Sequence, residues 1–138
     1  MVTGSDRYQI TKRLRSGPIE SWSGLDQTLD RPVTIRFLDP ATEIGKRVQL
    51  QARSLMRLEH SALLHVLDTI EFDGRFGLVT ESLPTQNLDE YLSLNGNISS
   101  EETLLIAIQL GEALAALHSA GFAIGDLQPK HVGHREDG

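Results

Sequence analysis

Apolar and polar residues alternate with the two-residue period of β-strands in the first part of the chain. Tyr8 and Ile10 share one face of a first strand, and in PVTIRFL every second residue from Val33 to Phe37 is apolar. Between these runs, SGPIESWSG contains a Gly-Pro pair that is typical of a turn. The pattern therefore predicts three short antiparallel strands over residues 8–38.

The spacing of apolar residues changes to three or four over residues 41–59, which predicts a helix with Val48 and Ala52 on its buried side. Two more alternating runs follow, LLHVLDTIEF and RFGLVTESL. The Asp73-Gly74 pair between them favours a tight β-hairpin.

Two helices are predicted in the last third of the chain. The first is NLDEYLSL, residues 87–94. The second begins at a predicted capping box of Ser99 and Glu102, runs through LLIAIQLGEALAALHSA and ends before Gly121. Because this helix is apolar on most sides, we expect it to be deeply buried. Five strands with one helix after the third, followed by a helical region, predict an α+β fold with two lobes.

Composition narrows the functional classes. The 138 residues suit one compact domain, and the chain has no cysteine and a net charge of −6. Residues 1–60 hold ten Lys or Arg against seven Asp or Glu, whereas residues 61–138 hold three against twelve. The basic residues are too sparse for a nucleic-acid surface, and no apolar run is long enough to span a bilayer. We expect a cytoplasmic protein whose segment contacts neither nucleic acid nor membrane.

Four stretches, taken in order, resemble the eukaryotic-like Ser/Thr protein kinases of bacteria. They are DRYQITKRLRSG, RPVTIRFL, QARSLMRLEHSALLHVLD and LGEALAALHSAGFAIGDLQPKHV. The resemblance implies a five-stranded antiparallel amino-terminal lobe with one helix over residues 6–83, and the start of a helical second lobe over 84–138. GHREDG resembles a hairpin turn that follows the catalytic loop, so we expect a truncated piece of a longer chain.

The resemblance also assigns the nucleotide-binding positions. The three glycines of the phosphate loop fall on Arg15, Gly17 and Glu20, of which Gly17 alone is glycine. Gly17 serves either this loop or an ordinary hairpin turn, and Glu20 places a negative charge near the phosphates. The adenine-side residues implied by the resemblance are Leu14, Trp22, Thr34, Thr80, Glu81 and Leu83. Trp22 either fills the adenine pocket or is a partly exposed core aromatic residue.

The family's ion pair beside the nucleotide phosphates, a strand lysine and a helix glutamate, is replaced at both positions. The strand lysine of the family falls on Arg36, and the helix glutamate that holds it falls on Gln51. Arginine keeps the positive charge but has a planar fork, so it does not reproduce a lysine at such a site. Gln51 supplies no countercharge, although its amide oxygen can accept a hydrogen bond from Arg36.

The catalytic loop of the family is matched by IGDLQPKH. Asp126 occupies the position of the catalytic base, Gln128 replaces a lysine, and His131 replaces the asparagine that binds a second metal ion. Imidazole is a poor ligand for Mg²⁺, so the sequence argues against a magnesium site. Asp126 is expected to order the loop rather than to accept a proton.

These replacements predict a pseudokinase that binds ATP weakly or not at all and acts as a regulatory or scaffolding module for unknown protein partners. Two alternatives stay open. One is an active but divergent Ser/Thr kinase in which Arg36 and His131 replace the lost groups. The other is an interaction module whose groove is closed by Trp22.

Overall fold

A computed structural model of the chain describes residues 6–16, 19–82, 86–122 and 132–134. The chain divides into two compact units, Met1–Glu59 with Leu64–Ser82, and His60–Leu63 with Leu83–Gly138. The first unit contains strands β1 (Tyr8–Arg15), β2 (Glu20–Asp26), β3 (Arg31–Leu38), β4 (Val66–Phe72) and β5 (Arg75–Glu81), with helix α1 (Glu43–Arg57) between β3 and β4. The predicted α+β order of five strands with one helix after the third is confirmed.

All five strands of the first unit form one antiparallel sheet in the order β1-β2-β3-β5-β4. The predicted hairpin joins β4 to β5, where Asp73 and Gly74 both have positive φ angles of 52° and 72°. Such angles suit a tight two-residue turn, and Phe72 pairs with Arg75 directly beside it.

The sheet has two buried faces. On the first, here called the core face, seven buried residues pack together: Tyr8, Ile10, Val33, Ile35, Phe37, Ile70 and Val79. On the second, here called the helix face, Leu38 and Phe76 pack against Ala52 of α1. The Phe37 ring fits the core face because Gly77 lies opposite it, where a Cβ atom would come within 3.0 Å of the ring.

Two polar contacts tie β1 to the rest of the sheet. The buried Tyr8 hydroxyl donates to Asp68 at 2.8 Å, and burial raises the pKa of Tyr8. Arg7 donates through Nε and Nη2 to the two carboxylate oxygens of Asp26 at 3.0 and 2.9 Å. Asp26 is fully buried and also accepts from the backbone of the β2–β3 turn, at Thr28 and Leu29.

The second unit contains α2 (Leu88–Asn95), α3 (Ser100–Ser119) and a two-residue pairing of β6 (Gln86–Asn87) with β7 (Gly133–His134). The capping box predicted at α3 is only half formed. Ser99 accepts from the Glu102 backbone, but the Glu102 carboxylate accepts from the Tyr91 hydroxyl of α2, which raises the pKa of Tyr91. A complete capping box instead begins α2, between Asn87 and Glu90.

The expected deep burial of α3 is wrong for the chain as it stands. Ala113 is the one buried residue of this helix, whereas Leu104, Leu105 and Ile108 are about half to two-thirds exposed. Apolar residues lie around most of the helix, so a single contact side cannot cover them all. Among the described helices, none is long and apolar enough to cross a membrane.

The Asp26 network predicts a specific acid sensitivity. The hydrogen bond from Arg7, despite the burial that opposes it, lowers the Asp26 pKa to about 2. Stabilisation by the charged carboxylate is therefore fully present above the unfolded pKa, near 4, and is lost as the pH falls through about 2. We expect Asp26→Asn to lower the melting temperature at pH 7 and to flatten its dependence on pH below 4. Asp30→Asn, on an exposed turn residue with positive φ, is the matched control. Equal losses in the two variants would contradict the network.

The exposed apolar side of α3 predicts dye binding by the isolated 138-residue chain. We expect the chain to bind a hydrophobic dye and to associate, because large exposed apolar patches promote both. The double variant Leu104→Ser/Ile108→Ser should reduce dye fluorescence at equal helix content. Leu29→Ser, at an exposed leucine of the first unit, should change it little. A monomeric chain that melts cooperatively and binds no dye would show this expectation to be wrong.

Candidate functional site

Three of the predicted nucleotide-side residues lie together on the helix face of the sheet. Thr34 of β3 pairs directly with Thr80 of β5, and Arg36 lies two residues farther along the same face of β3. Both threonines are almost fully buried, whereas Arg36 is half-buried. The strand alternation that buries Val33 and Ile35 on the core face is what turns Thr34 and Arg36 to the helix face.

A chain of hydrogen bonds links these side chains to the end of β5. Arg36 donates through Nη1 to the Thr80 hydroxyl at 3.5 Å, and that hydroxyl donates to the Glu81 backbone oxygen at 3.0 Å. The first contact is long and therefore weak. The Arg36 side chain therefore extends along the sheet toward the Thr34–Thr80 pair.

The residues present fit ATP only in part. The two opposed threonines are small side chains at positions that the resemblance assigns to the base, but both are almost fully buried. The cation that would hold the phosphates is the Arg36 guanidinium, whose described contact is the long one to Thr80. We therefore derive no catalytic step through the nucleotide.

The other predicted site residues that the structure describes lie on different elements. Leu14 is 48% exposed on β1, and Gln51 is half-buried on α1. The Glu81 carboxylate accepts from the His65 backbone at 3.1 Å, so its side chain fixes the entry to β4. Whether Gln51 faces Arg36 stays a prediction.

The predicted grouping of Trp22 with Thr34 and Arg36 is wrong. Trp22 pairs with Ile35 across β2 and β3, and paired residues of an antiparallel sheet project from the same face. Trp22 therefore packs against the core face, on the side opposite Thr34. The alternative in which Trp22 closes a nucleotide groove loses its basis for the same reason. Ser21 and Ser23, which pair with Arg36 and Thr34, are the β2 residues that share the face of those two side chains.

The predicted repulsion between Glu20 and phosphates is also not supported by its position. Glu20 pairs with Phe37 and so projects from the core face, away from Arg36. Its carboxylate accepts from Arg75 and lies 3.6 Å from Arg13. The hydrogen bond from Arg75 is the main cause that lowers the pKa of Glu20. Two arginines thus neutralise the charge that was expected to oppose a nucleotide.

The two arginines beside Glu20, Arg13 and Arg75, also lie over aromatic rings. The Arg75 guanidinium lies 4.6 Å from the centre of the Phe37 ring, and Arg13 lies 6.0 Å from the centre of the Trp22 ring. The indole nitrogen of Trp22 is buried and has no hydrogen-bond partner among the described residues, although its proximity to Glu20 helps to lower the pKa of that carboxyl. A cavity of about 320 Å³ lies beside this cluster, lined by Ile10, Thr11, Trp22, Phe37, Phe72 and Arg75.

A second cavity, of about 350 Å³, lies between the start of α1 and the β4–β5 hairpin. It is lined by Pro40, Gln49, Glu71, Phe72, Asp73, Gly74, Arg75 and Phe76. None of the predicted nucleotide-side residues lines it. In the first unit, these two cavities therefore do not mark the Thr34–Arg36–Thr80 group.

Several predicted residues lie outside the described part of the chain. They are Gly17, Leu83, Asp126, Gln128 and His131, and the side chain of Arg15 is likewise not described. Among the residues that are described, no group of three or more His, Cys, Asp or Glu side chains could hold a metal ion.

The position of Ser21 was missed by the sequence reasoning. Its signal lies in strand pairing, because the residue opposite Arg36 must share the face of Arg36. Counting back from Arg36 across the β2–β3 turn finds Ser21, whereas counting forward from the degenerate glycine motif leads to Trp22, which projects from the opposite face.

Known proteins support the fold and the resemblance. No protein-family model matches the chain. It is 31% identical over 138 residues to the Ser/Thr protein kinase PknL of Mycobacterium tuberculosis, and the alignment covers 96% of the chain and 34% of PknL. It is 30% identical over 133 residues to the Ser/Thr protein kinase PrkC of Bacillus subtilis, covering 93% of the chain and 20% of PrkC.

Solved kinase structures share the fold. A Rad53 structure in complex with AMP-PNP superposes with a TM-score of 0.85 at 16% identity, covering 99% of this chain and 37% of that one. The PknI kinase domain of Mycobacterium tuberculosis superposes with a TM-score of 0.80 at 21% identity, covering 97% and 58%. The chain thus has a protein-kinase-like fold, its relatives are bacterial Ser/Thr kinases, and it spans about a third of PknL and a fifth of PrkC.

The altered charge pair predicts a measurable coupling. We expect Gln51→Glu to stabilise the full-length protein by about 1 kcal/mol or less, because a carboxylate at position 51 would pair with the half-buried Arg36 if the two residues face each other as the resemblance implies. Thermal melting of Gln51→Glu should be compared in the Arg36 and Arg36→Ala backgrounds. Gln49→Glu, on the exposed side of α1, controls for the change in net charge. Equal effects of Gln51→Glu in both backgrounds would show that the two residues do not interact.

Proposed function

We propose that this chain is a pseudokinase, a protein-kinase-like module that regulates or scaffolds protein partners in the cytoplasm without transferring phosphate. Its lobes correspond to residues 6–83 and 84–138. The observation that carries the proposal is the replacement of the strand lysine by Arg36 and of its helix glutamate by Gln51, and the long contact of Arg36 with Thr80 is in keeping with it. Phosphoryl transfer depends on cations held against the phosphates.

The chemistry of the replaced positions supports the same conclusion. Gln51 brings no charge to hold Arg36 in place, Gln128 brings none to the transferring phosphate, and His131 is a poor Mg²⁺ ligand. A base removes a proton usefully only after the phosphate is held in line, so Asp126 lacks the positioning on which its chemistry depends. ATP therefore binds weakly or not at all, mainly through its base, and with little dependence on Mg²⁺.

An active, divergent Ser/Thr kinase is the second candidate. Asp126 retains the carboxylate of the catalytic base, and Arg36 retains a positive charge on the strand that resembles the lysine strand of kinases. Two of its relatives, PknL and PrkC, are named as Ser/Thr protein kinases. In this alternative Arg36 leaves Thr80 when a nucleotide arrives.

A phosphotransfer assay separates the two candidates. The full-length protein is incubated with radiolabelled ATP, Mg²⁺ or Mn²⁺ and a generic Ser/Thr substrate, in parallel with Asp126→Asn. We expect both to show background incorporation only, far below the ~1–100 s⁻¹ of typical protein kinases. Clear transfer by the parent protein that disappears in Asp126→Asn would overturn the pseudokinase proposal and establish the divergent kinase.

A further inference from the structure

The outward side of α1 carries a row of basic residues that the kinase-like site does not use. Four residues at steps of four, three and four lie on one side of the helix, within about 60° of arc. They are Lys46, Leu50, Arg53 and Arg57. We call this row the cationic stripe. The buried residues Gly45 and Ala52 lie away from this row, and Ala52 packs against Leu38 and Phe76 of the sheet.

The cationic stripe is exposed and unpaired within the described residues. Leu50 is 86% exposed, the highest exposure reported for a large apolar residue in this part of the chain, and the three basic side chains are exposed as well. In the same described ranges, the ion pairs of the first unit involve other cations: Arg7, Arg13, Arg31, His65 and Arg75. The described carboxylates therefore do not neutralise the stripe.

The stripe contributes little to the fold. Arg53 and Arg57 are like charges four residues apart, an arrangement that destabilises a helix slightly. Leu50 gains no burial from its position. Arg57 alone has a clear local benefit, because a cation in the last turn suits the helix dipole.

We propose that the cationic stripe is a docking surface for an acidic helical segment of a partner protein. The three cations span about 16 Å along the helix, which matches carboxylates spaced four, seven and eleven residues apart on a facing helix. Leu50, between the cations, contacts an apolar residue that the partner places between its carboxylates. Charge complementarity of this kind selects the partner and speeds its association.

A protein partner fits the stripe better than an anionic membrane surface. Helices that lie in a membrane interface bury a broad apolar face, whereas this side of α1 offers a single leucine among cations. The proposal does not depend on whether the nucleotide site is active, because none of the predicted nucleotide-side residues belongs to the stripe.

The test uses a fluorescently labelled 15-residue helical peptide with Glu at positions 2, 9 and 13 and Leu at position 6, which repeats the spacing of the stripe. A peptide of the same composition in scrambled order is its control. Binding to the full-length protein is measured by fluorescence anisotropy at low and moderate salt. In parallel, sedimentation is measured with vesicles of phosphatidylcholine containing phosphatidylserine.

We expect Arg53→Glu to weaken binding of the ordered peptide by about fivefold or more, because it removes one ion pair and adds one repulsion. Arg47→Glu changes the net charge equally but lies to the side of the stripe, and should weaken binding by about twofold or less. Leu50→Ala should weaken binding at unchanged helix content, and added salt should weaken it further.

Three results would overturn the proposal. Equal losses in Arg53→Glu and Arg47→Glu would mean that net charge alone attracts the peptide. Equal binding of the ordered and scrambled peptides, or no binding of either, would exclude recognition of a helix. Vesicle binding without peptide binding would identify a membrane as the occupant. None of these results would change the outcome of the phosphotransfer assay, so the two proposals fail independently.

Discussion

The register of the central strand β3 determines which residues can act together. β3 is paired on both edges, with β2 and with β5, so its side chains alternate strictly between two buried faces. Val33, Ile35 and Phe37 are held in the core face, and this fixes Thr34 and Arg36 on the other face. A slip of one residue would exchange the two sets, placing a guanidinium in the apolar core.

This constraint separates the charged residues of the first unit into two groups with different roles. Glu20, Arg13 and Arg75 satisfy one another at the core face, where their stems and the aromatic rings pack together. Arg36 lies on the helix face, with Thr80 as its described hydrogen-bond acceptor. The electrostatic environment of a nucleotide on the helix face would therefore be set by Arg36, with Glu20 projecting from the opposite face.

Much of the fold could be predicted because its signals are local. Alternation in PVTIRFL, the Asp73-Gly74 turn and the apolar spacing of α1 each depend on a few neighbouring residues, and all three predictions are confirmed. The facing of Trp22 and Glu20 could not be obtained in this way. It depends on pairing with β3, and the irregular β1–β2 pairing between Arg13 and Arg15 breaks a count that runs forward from β1.

Competition between partners explains the other differences. Glu102 was expected to complete a capping box, but the Tyr91 hydroxyl is a neighbour only after α2 and α3 have formed. Arg36 has a described acceptor on β5, a strand distant in sequence, and whether it also faces Gln51 stays a prediction. The facing of Arg36 followed from alternation, but the choice among acceptors on that face is decided by tertiary packing.

The central claim is that Arg36 does not work with a metal ion to hold nucleotide phosphates. Isothermal titration calorimetry of the full-length protein with ATP, in Mg²⁺ and in EDTA, tests it most directly. The account predicts weak or undetectable binding that changes by less than about threefold between the two conditions, because the phosphates contribute little. Tight binding that requires Mg²⁺ and is lost in Arg36→Ala would contradict it.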